Sequence, residues 1–372
     1  MANLEKLYQK TGGFIKGVCH PKEYYDYLNE AGIEWVRRDL PYPYRPDGTP
    51  NKSYENYKNA CKEYAKYGIR HVTVTPYPSD FLECGIDVTT AEGLAQAEQV
   101  CADIAADFAG TGTCWQVTNE MHIRHFRAPL DMEQSRDFLI ACIRGMKRGD
   151  PTAAVGHNST DDEYLPYCKQ IEEAVGGCDY IGVDLYDGTW SHGGPETYGP
   201  FIDHVYEALG IPVILMEFGF ASRGGMMTDA EGEVDRYLRA NGFEGKADIE
   251  RDLDRFTAWL PGRIRRHVEE CAPSDKLLCA LNSFPHLMKT WTANCAIAHD
   301  EEGQARFYEE LLPALMANPH LGGAVIYCMR DSDDCFYCGE PDCPCETAWG
   351  LIRMDGSKKP AFETVKRCFK GE

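Results

Sequence analysis

No window of the 372-residue chain approaches the roughly 18 uninterrupted apolar residues of a membrane span, and the opening Met1-Ala2-Asn3-Leu4-Glu5-Lys6 lacks the basic region and apolar stretch of an export signal. A cytoplasmic location with no membrane partner is the expectation. Positive charge is also scarce: 38 Lys+Arg face 59 Asp+Glu, a net charge of −21, with no local basic cluster, which argues against nucleic acid as a partner. No internal repeat and no low-complexity linker divides the chain. A glycine-rich phosphate turn is missing after the first β-like run, where Gly17-Val18-Cys19-His20-Pro21 stands instead, and this disfavours an open dinucleotide-binding sheet.

What is present is a foldable chain: 43% of residues are hydrophobic, and 21 Tyr, 15 Phe and 6 Trp supply bulk for a core. Seventeen cysteines without an export signal read as reduced thiols, metal ligands or small buried residues more than as a disulfide framework. Eight β-like runs alternate with helical patterns: Phe14–Cys19, Glu34–Leu40, Arg70–Thr75, Cys114–Thr118, Ala153–His157, Tyr180–Tyr186, Val213–Glu217 and Ala324–Met329. Helices are expected over Ser53–Lys66, Thr90–Phe108, Met132–Arg148 and Glu302–Ala317. The alternation predicts an α/β fold, a (β/α)8 TIM barrel, as one catalytic domain over 1–372. About a hundred residues separate the seventh and eighth runs, far beyond an ordinary loop. Residues 221–300 therefore read as an insertion in that connection, with a helix at Ile249–Glu270 and a cluster at Phe284-Pro285-His286.

In such barrels chemistry sits at the C-terminal strand ends. Two glutamates close apolar runs there: Glu120, after Trp115-Gln116-Val117-Thr118-Asn119, and Glu217, after Pro212-Val213-Ile214-Leu215-Met216. Strict alternation places Asn119 and Glu120 on opposite faces, so periodicity alone does not aim both carboxylates inward. These residues, with Trp35-Val36-Arg37-Arg38-Asp39, Asp184-Leu185-Tyr186, Met216-Glu217-Phe218-Gly219, Trp349-Gly350-Leu351 and Lys359-Pro360-Ala361-Phe362, occur in an order that resembles the retaining glycoside hydrolases of the (β/α)8-barrel clan A, the 4/7 superfamily.

The resemblance implies a retaining glycoside hydrolase that cleaves a β-glycosidic bond by double displacement, and the long insertion after the seventh run, which can wall off one side of the mouth, favours exo action on small glycosides or oligosaccharides. Glu217 would be the nucleophile and Glu120 the acid/base. Arg37 and Tyr186 would steady Glu217, Arg37 being favoured over Arg38 as the inward arginine, and Asn119 would donate to the sugar 2-hydroxyl or to the nucleophile. Asp39 and Asp331 are candidates to bind vicinal hydroxyls, and Trp190, Trp349, Tyr77 and Trp291 to stack on sugar rings. His20, His122, His157 and His192 lie at or beyond strand ends. The chain departs from the clan's pattern where Tyr327-Cys328-Met329, Thr75-Pro76-Tyr77 and Asp184 replace a common Trp and His residues. The acidity disfavours anionic sugars unless Arg37, Arg330 or the insertion supplies positive charge. The other reading is a catalytically silent carbohydrate-binding or scaffold barrel. No cofactor is expected for catalysis.

One local anomaly remains. Cys335, Cys338, Cys343 and Cys345 crowd a Gly/Pro-containing loop after the eighth run. Four such thiols suit a tetrahedral structural zinc, although free thiols or disulfides fit the spacing as well.

Overall fold

The computed structural model describes residues 2–271, 273, 275–291 and 295–372. Eight parallel strands close into a barrel: β1 (Ile15–Cys19), β2 (Trp35–Asp39), β3 (Arg70–Val74), β4 (Cys114–Gln116), β5 (Ala154–Ser159), β6 (Tyr180–Leu185), β7 (Val213–Phe218) and β8 (Leu321–Ile326). Each pairs with its sequence neighbour and β8 returns to β1, so no strand edge is left open. The fold is an α/β TIM barrel.

Side chains alternate as the pleat requires. Ile15, Trp35, Val72, Cys114, Tyr180, Ile214 and Val325 share one buried cluster inside the barrel, whose lower end is plugged by Leu7 from the N-terminal helix Ala2–Thr11. Their neighbours Val36, Val183, Leu215 and Ile326 face the helices. Local signals delimit those helices: Asn51 caps Lys52–Lys66, Thr90 caps Ala91–Asp107, and Asp131 and Gln134 form a reciprocal box at the start of Met132–Gly149. Ala91–Asp107 and Met132–Gly149 approach backbone to backbone. A Cβ added at Gly145 would lie 2.2 Å from the Glu98 carbonyl oxygen.

Three expectations change. The eighth strand starts at Leu321 rather than Ala324, because the Gly322-Gly323 pair belongs to the strand, where it lets Ile15 approach. The fourth strand ends at Gln116. The helix expected over Ile249–Glu270 is broken into Lys246–Arg251, Leu253–Trp259 and Gly262–Glu270; Asp252 caps the second piece and Pro261 precedes the third.

The insertion between β7 and Glu301–Ala317 builds its own apolar centre from Val234, Leu238, Ile249, Phe256, Ile264, Val268 and Phe284. Two short strands, Gly225–Met226 and Thr290–Trp291, pair where it begins and ends. It also holds a disulfide, Cys271–Cys279, whereas the other 15 cysteines are free thiols. Among the described residues no helix is long and apolar enough to cross a membrane.

Candidate active site

A cavity of about 560 Å³ opens at the C-terminal end of the barrel and is lined by both glutamates. Each reaches it through a local departure from regular strand geometry. On β7, Val183 pairs with Leu215 while the next residue, Asp184, pairs with Glu217, so Met216 is an extra residue. This bulge turns both Met216 and Glu217 to the interior, where alternation would have sent Glu217 outward. After β4, Thr118 and Glu120 adopt positive φ of 56° and 44°. These conformations are unusual for residues with a Cβ and are held from outside. The Thr118 amide donates to Thr75 Oγ1 at 2.9 Å and the Glu120 amide to Asn158 Oδ1 at 2.8 Å. The bend brings Asn119 and Glu120 to the cavity together.

Arg37 organises the floor. Its Nη1 donates to Glu217 Oε1 at 2.6 Å, its Nη2 to Asn119 Oδ1 at 2.7 Å and its Nε to Gln116 Oε1 at 2.8 Å. Burial opposes its charge, but the surrounding carboxylates, Glu217 foremost, hold its pKa well above the usual arginine value. The Tyr186 hydroxyl donates to the other Glu217 oxygen at 2.7 Å. Burial, then the charge of Glu217, keeps that phenol protonated. Asn119 Oδ1 also accepts from Gln116 Nε2 at 2.9 Å and Asn158 Nδ2 at 2.8 Å. Three donors on one oxygen fix the amide's orientation and leave Nδ2 as the end that can donate to a ligand.

Glu120 is in the opposite electrostatic condition. Burial first, and the Glu217 charge second, push its pKa up to about 7, against a hydrogen bond with Asp184 and the charge of Arg37. Asp184, wholly buried, is pushed well above the carboxylate range by burial and by the two glutamates. Its Oδ2 accepts from Asn158 Nδ2 at 2.5 Å. Burial and mutual repulsion among the carboxyls thus favour a protonated state for both Asp184 and Glu120. A third acid, Glu346 from the loop after β8, lines the same cavity, and burial followed by the Glu217 charge raises it to about 8.

The structure places the remaining candidates unevenly. Asp39, Tyr77, Trp190, Trp349 and His20 line the cavity. Trp190 is 39% exposed and presents a face to a ligand; Trp349 is buried beneath Tyr186 and Tyr327, with ring centroids 5.2 and 6.0 Å away. Trp291 does not reach the cavity: it is fully buried behind Trp190 and donates to the Arg223 carbonyl. Asp331 is taken up by a buried ion pair with Lys359 at 2.7 Å. His157 faces outward to Glu172 at 3.0 Å, His122 pairs with Thr160, and His192 is exposed. Arg38 lies outside the barrel over the rings of Tyr57 and Tyr64.

Cys345 is a correction. Pro344 opens a short helix, Pro344–Thr347, and Cys345 on it lines the cavity and neighbours Cys343 without joining the point where Cys335, Cys338 and Cys343 meet; His286 takes the fourth place there. Sequence reading also passed over Gln116, Asn158 and Glu346. The first two stand on the inward alternation of β4 and β5, a signal that was available, whereas nothing in the loop marks Glu346.

No protein-family model matches the chain, and no curated protein matches it in sequence. Solved structures do. The chain is similar to the GH53 catalytic domain of Ignisphaera aggregans, with a TM-score of 0.61 and 15% identity, covering 96% of each chain. It is also similar to a family 39 glycoside hydrolase of Bacteroides cellulosilyticus WH2, with a TM-score of 0.60, 15% identity, and 96% of this chain against 64% of that one. A third is the GH2 β-galacturonidase of Eisenbergiella tayi bound to galacturonate, with a TM-score of 0.52, 15% identity, and 97% against 51%. What they share with it is the barrel fold. The chain thus spans about half to two thirds of two of these proteins and nearly all of the third.

Proposed function

We propose that this chain is a retaining glycoside hydrolase that cleaves the β-glycosidic bond of a small, neutral glycoside or oligosaccharide by exo action. The observation that carries the reading is the division of labour between two carboxyls in one cavity. Glu217 is ion-paired through Arg37 with both oxygens accepting, while Glu120 is raised to about 7 and holds a proton near neutrality. In the first step a Glu217 oxygen attacks the anomeric carbon, the glycosidic C–O bond breaks, and Glu120 gives its proton to the departing oxygen. Esterification removes the Glu217 charge, which lowers the affinity of Glu120 for a proton. Glu120 then takes a proton from water as that water attacks the anomeric carbon and releases Glu217. Asn119 Nδ2 is the donor for the sugar hydroxyl next to the anomeric centre, a bond that strengthens as charge develops on the ring.

Charge supports the neutral substrate. Arg37 is the one lysine or arginine among the cavity-lining residues, and its donors are already engaged, whereas Asp39, Glu120, Asp161, Asp184, Glu217 and Glu346 all line the same space. A uronate would enter an acidic pocket without a free cation. The volume of about 560 Å³ and the wall formed by Trp190, Phe336 and Glu346 support exo action on a short substrate.

The test is a panel of aryl β-glycosides with wild type, Glu217→Ala and Glu120→Ala. Glu217→Ala is expected to lose turnover and to form an α-glycosyl azide when azide is added, the product of a single inversion. Turnover retained by Glu217→Ala would remove the nucleophile assignment, and no turnover of any glycoside by wild type would favour a silent barrel.

A further inference from the structure

Outside the catalytic cavity, three thiols and an imidazole converge. His286 comes from the short insertion helix Phe284–Met288, Cys335 and Cys338 from the loop after β8, and Cys343 from the residue that caps Pro344–Thr347. One ligand atom from each lies within 4.8 Å of all the others. His286 Nδ1 is 3.5 Å from Cys335 Sγ and 3.3 Å from Cys343 Sγ. A tetrahedral zinc with Zn–S about 2.3 Å and Zn–N about 2.0 Å has S···N edges of about 3.5 Å and S···S edges of about 3.8 Å; the two S···N edges to Cys335 and Cys343 match this, and the remaining edges all lie within 4.8 Å.

The backbone around the thiols is arranged for charged sulfur. Cys335-Phe336-Tyr337-Cys338-Gly339 forms a tight turn in which the Gly339 amide donates to the Cys335 carbonyl at 2.7 Å and the Cys338 amide is directed at Cys335 Sγ at 3.4 Å. The Glu340 amide is directed at Cys338 Sγ. Gly339 sits at φ +82°, a conformation that a residue with a Cβ rarely adopts. Amide N–H groups aimed at sulfur offset the charge of metal-bound thiolates, and Arg263, whose Nη1 donates to the Cys335 carbonyl at 3.2 Å, adds a cation beside them. The His286 ring is itself held in place, stacked on Tyr337 with centroids 4.4 Å apart.

We propose that His286, Cys335, Cys338 and Cys343 bind one Zn(II) ion that clasps the insertion to the loop after β8. Soft thiolates with one imidazole in tetrahedral array select zinc over the hard cations. All four positions are filled by protein, so the site is structural. It is placed to shape the substrate pocket all the same: Phe336, between two ligands, lines the cavity, and the ring of Trp190 lies 6.1 Å from that of His286. Cys345, two residues beyond Cys343, takes no part.

The experiment uses the full chain, purified under reducing conditions without added metal. Elemental analysis is expected to find about one zinc per chain. X-ray absorption at the zinc edge should show three sulfurs and one nitrogen, a measurement on the wild type that does not depend on any variant folding. Cys345→Ala should keep its zinc, while His286→Ala and Cys343→Ala should retain less than about a fifth of it. Cobalt-loaded wild type and Cys345→Ala should both give thiolate charge-transfer and tetrahedral d–d bands. Four sulfur ligands, loss of zinc from Cys345→Ala, iron in place of zinc, or a wild-type chain with no metal and these cysteines free or disulfide-linked would each overturn the assignment.

Discussion

Replacing Glu217 by Gln tests whether the two carboxyls sense one another as double displacement requires. The substitution keeps the shape and removes one negative charge. Carboxyls about 5–5.5 Å apart in a medium of effective dielectric about 20 interact by about 3 kcal/mol, which corresponds to about 2 pKa units on the partner. The Arg37 guanidinium, 2.6 Å from Glu217, stays behind with its charge uncompensated and acts in the same direction. Residual water in the cavity reduces the effect. Glu120, pushed up to about 7 in the intact protein, is therefore expected to titrate about 1–2 units lower in Glu217→Gln. The assay is a pH titration of protein carrying 13C at the glutamate carboxyl carbons, with the Glu120 signal assigned by its absence from Glu120→Gln. A Glu120 that moves by less than about 0.3 units, or moves upward, would refute the reasoning. It would mean that the two groups do not share a field, and the charge cycle that converts the acid into a base would have no driving force.

Four further outcomes are expected. In wild type, kcat/KM for an aryl β-glycoside should fall as pH rises through about 7, where Glu120 loses its proton; a basic limb beyond pH 9 would contradict this. Arg37→Met should abolish turnover and lower stability in urea by about 3–5 kcal/mol, because it leaves the largely buried Glu217 carboxylate without its cation and Gln116 Oε1 without a donor; a loss under about 1 kcal/mol would speak against its organising role. Glu346, raised to about 8, ionises at a lower pH when unfolded, so its contribution to stability is complete below about pH 4 and lost as pH rises toward 8. The melting temperature of Glu346→Gln should therefore gain on wild type between pH 4 and pH 8, and a constant difference would count against that burial. Finally, a neutral aryl glycoside should be turned over at least about 10-fold faster than the matching uronide, and a preference for the uronide would show that the pocket's acidity does not govern entry.

The barrel was legible because its signals are local and repeated. Apolar runs such as Val213–Glu217 and capping residues such as Thr90 and Asp131 recur in the right order, and the strands lie where the runs do. Strand ends were less legible. Gly322 and Gly323 read as a turn by composition, yet they are demanded by close packing against Leu7 and Ile15, a contact made by residues more than 300 positions away. The site was legible in composition but not in aim. Glu120 and Glu217 could be singled out as strand-end acids, while the turn at Thr118 and the extra residue at Met216 that direct them inward leave no mark in hydrophobic periodicity. The thiol loop shows the same limit: three of its cysteines converge, but the fourth group, His286, lies 49 residues from Cys335 in sequence and belongs to another element.

The bulge on β7 makes the position of the nucleophile a matter of counting as well as of chemistry. Deleting Met216 alone would let β7 recover its regular pairing with β6, and Glu217, following the outward Leu215 directly, would take the inward place that Met216 now holds. With Met216 present but the bulge ironed out, the carboxylate would instead point between the barrel and its helices, away from Arg37 and Tyr186. A homologous chain is therefore expected to carry this glutamate either on a bulged β7 or one residue earlier in a regular one, and the same spacing in an unbulged β7 would place it on the wrong side of the wall.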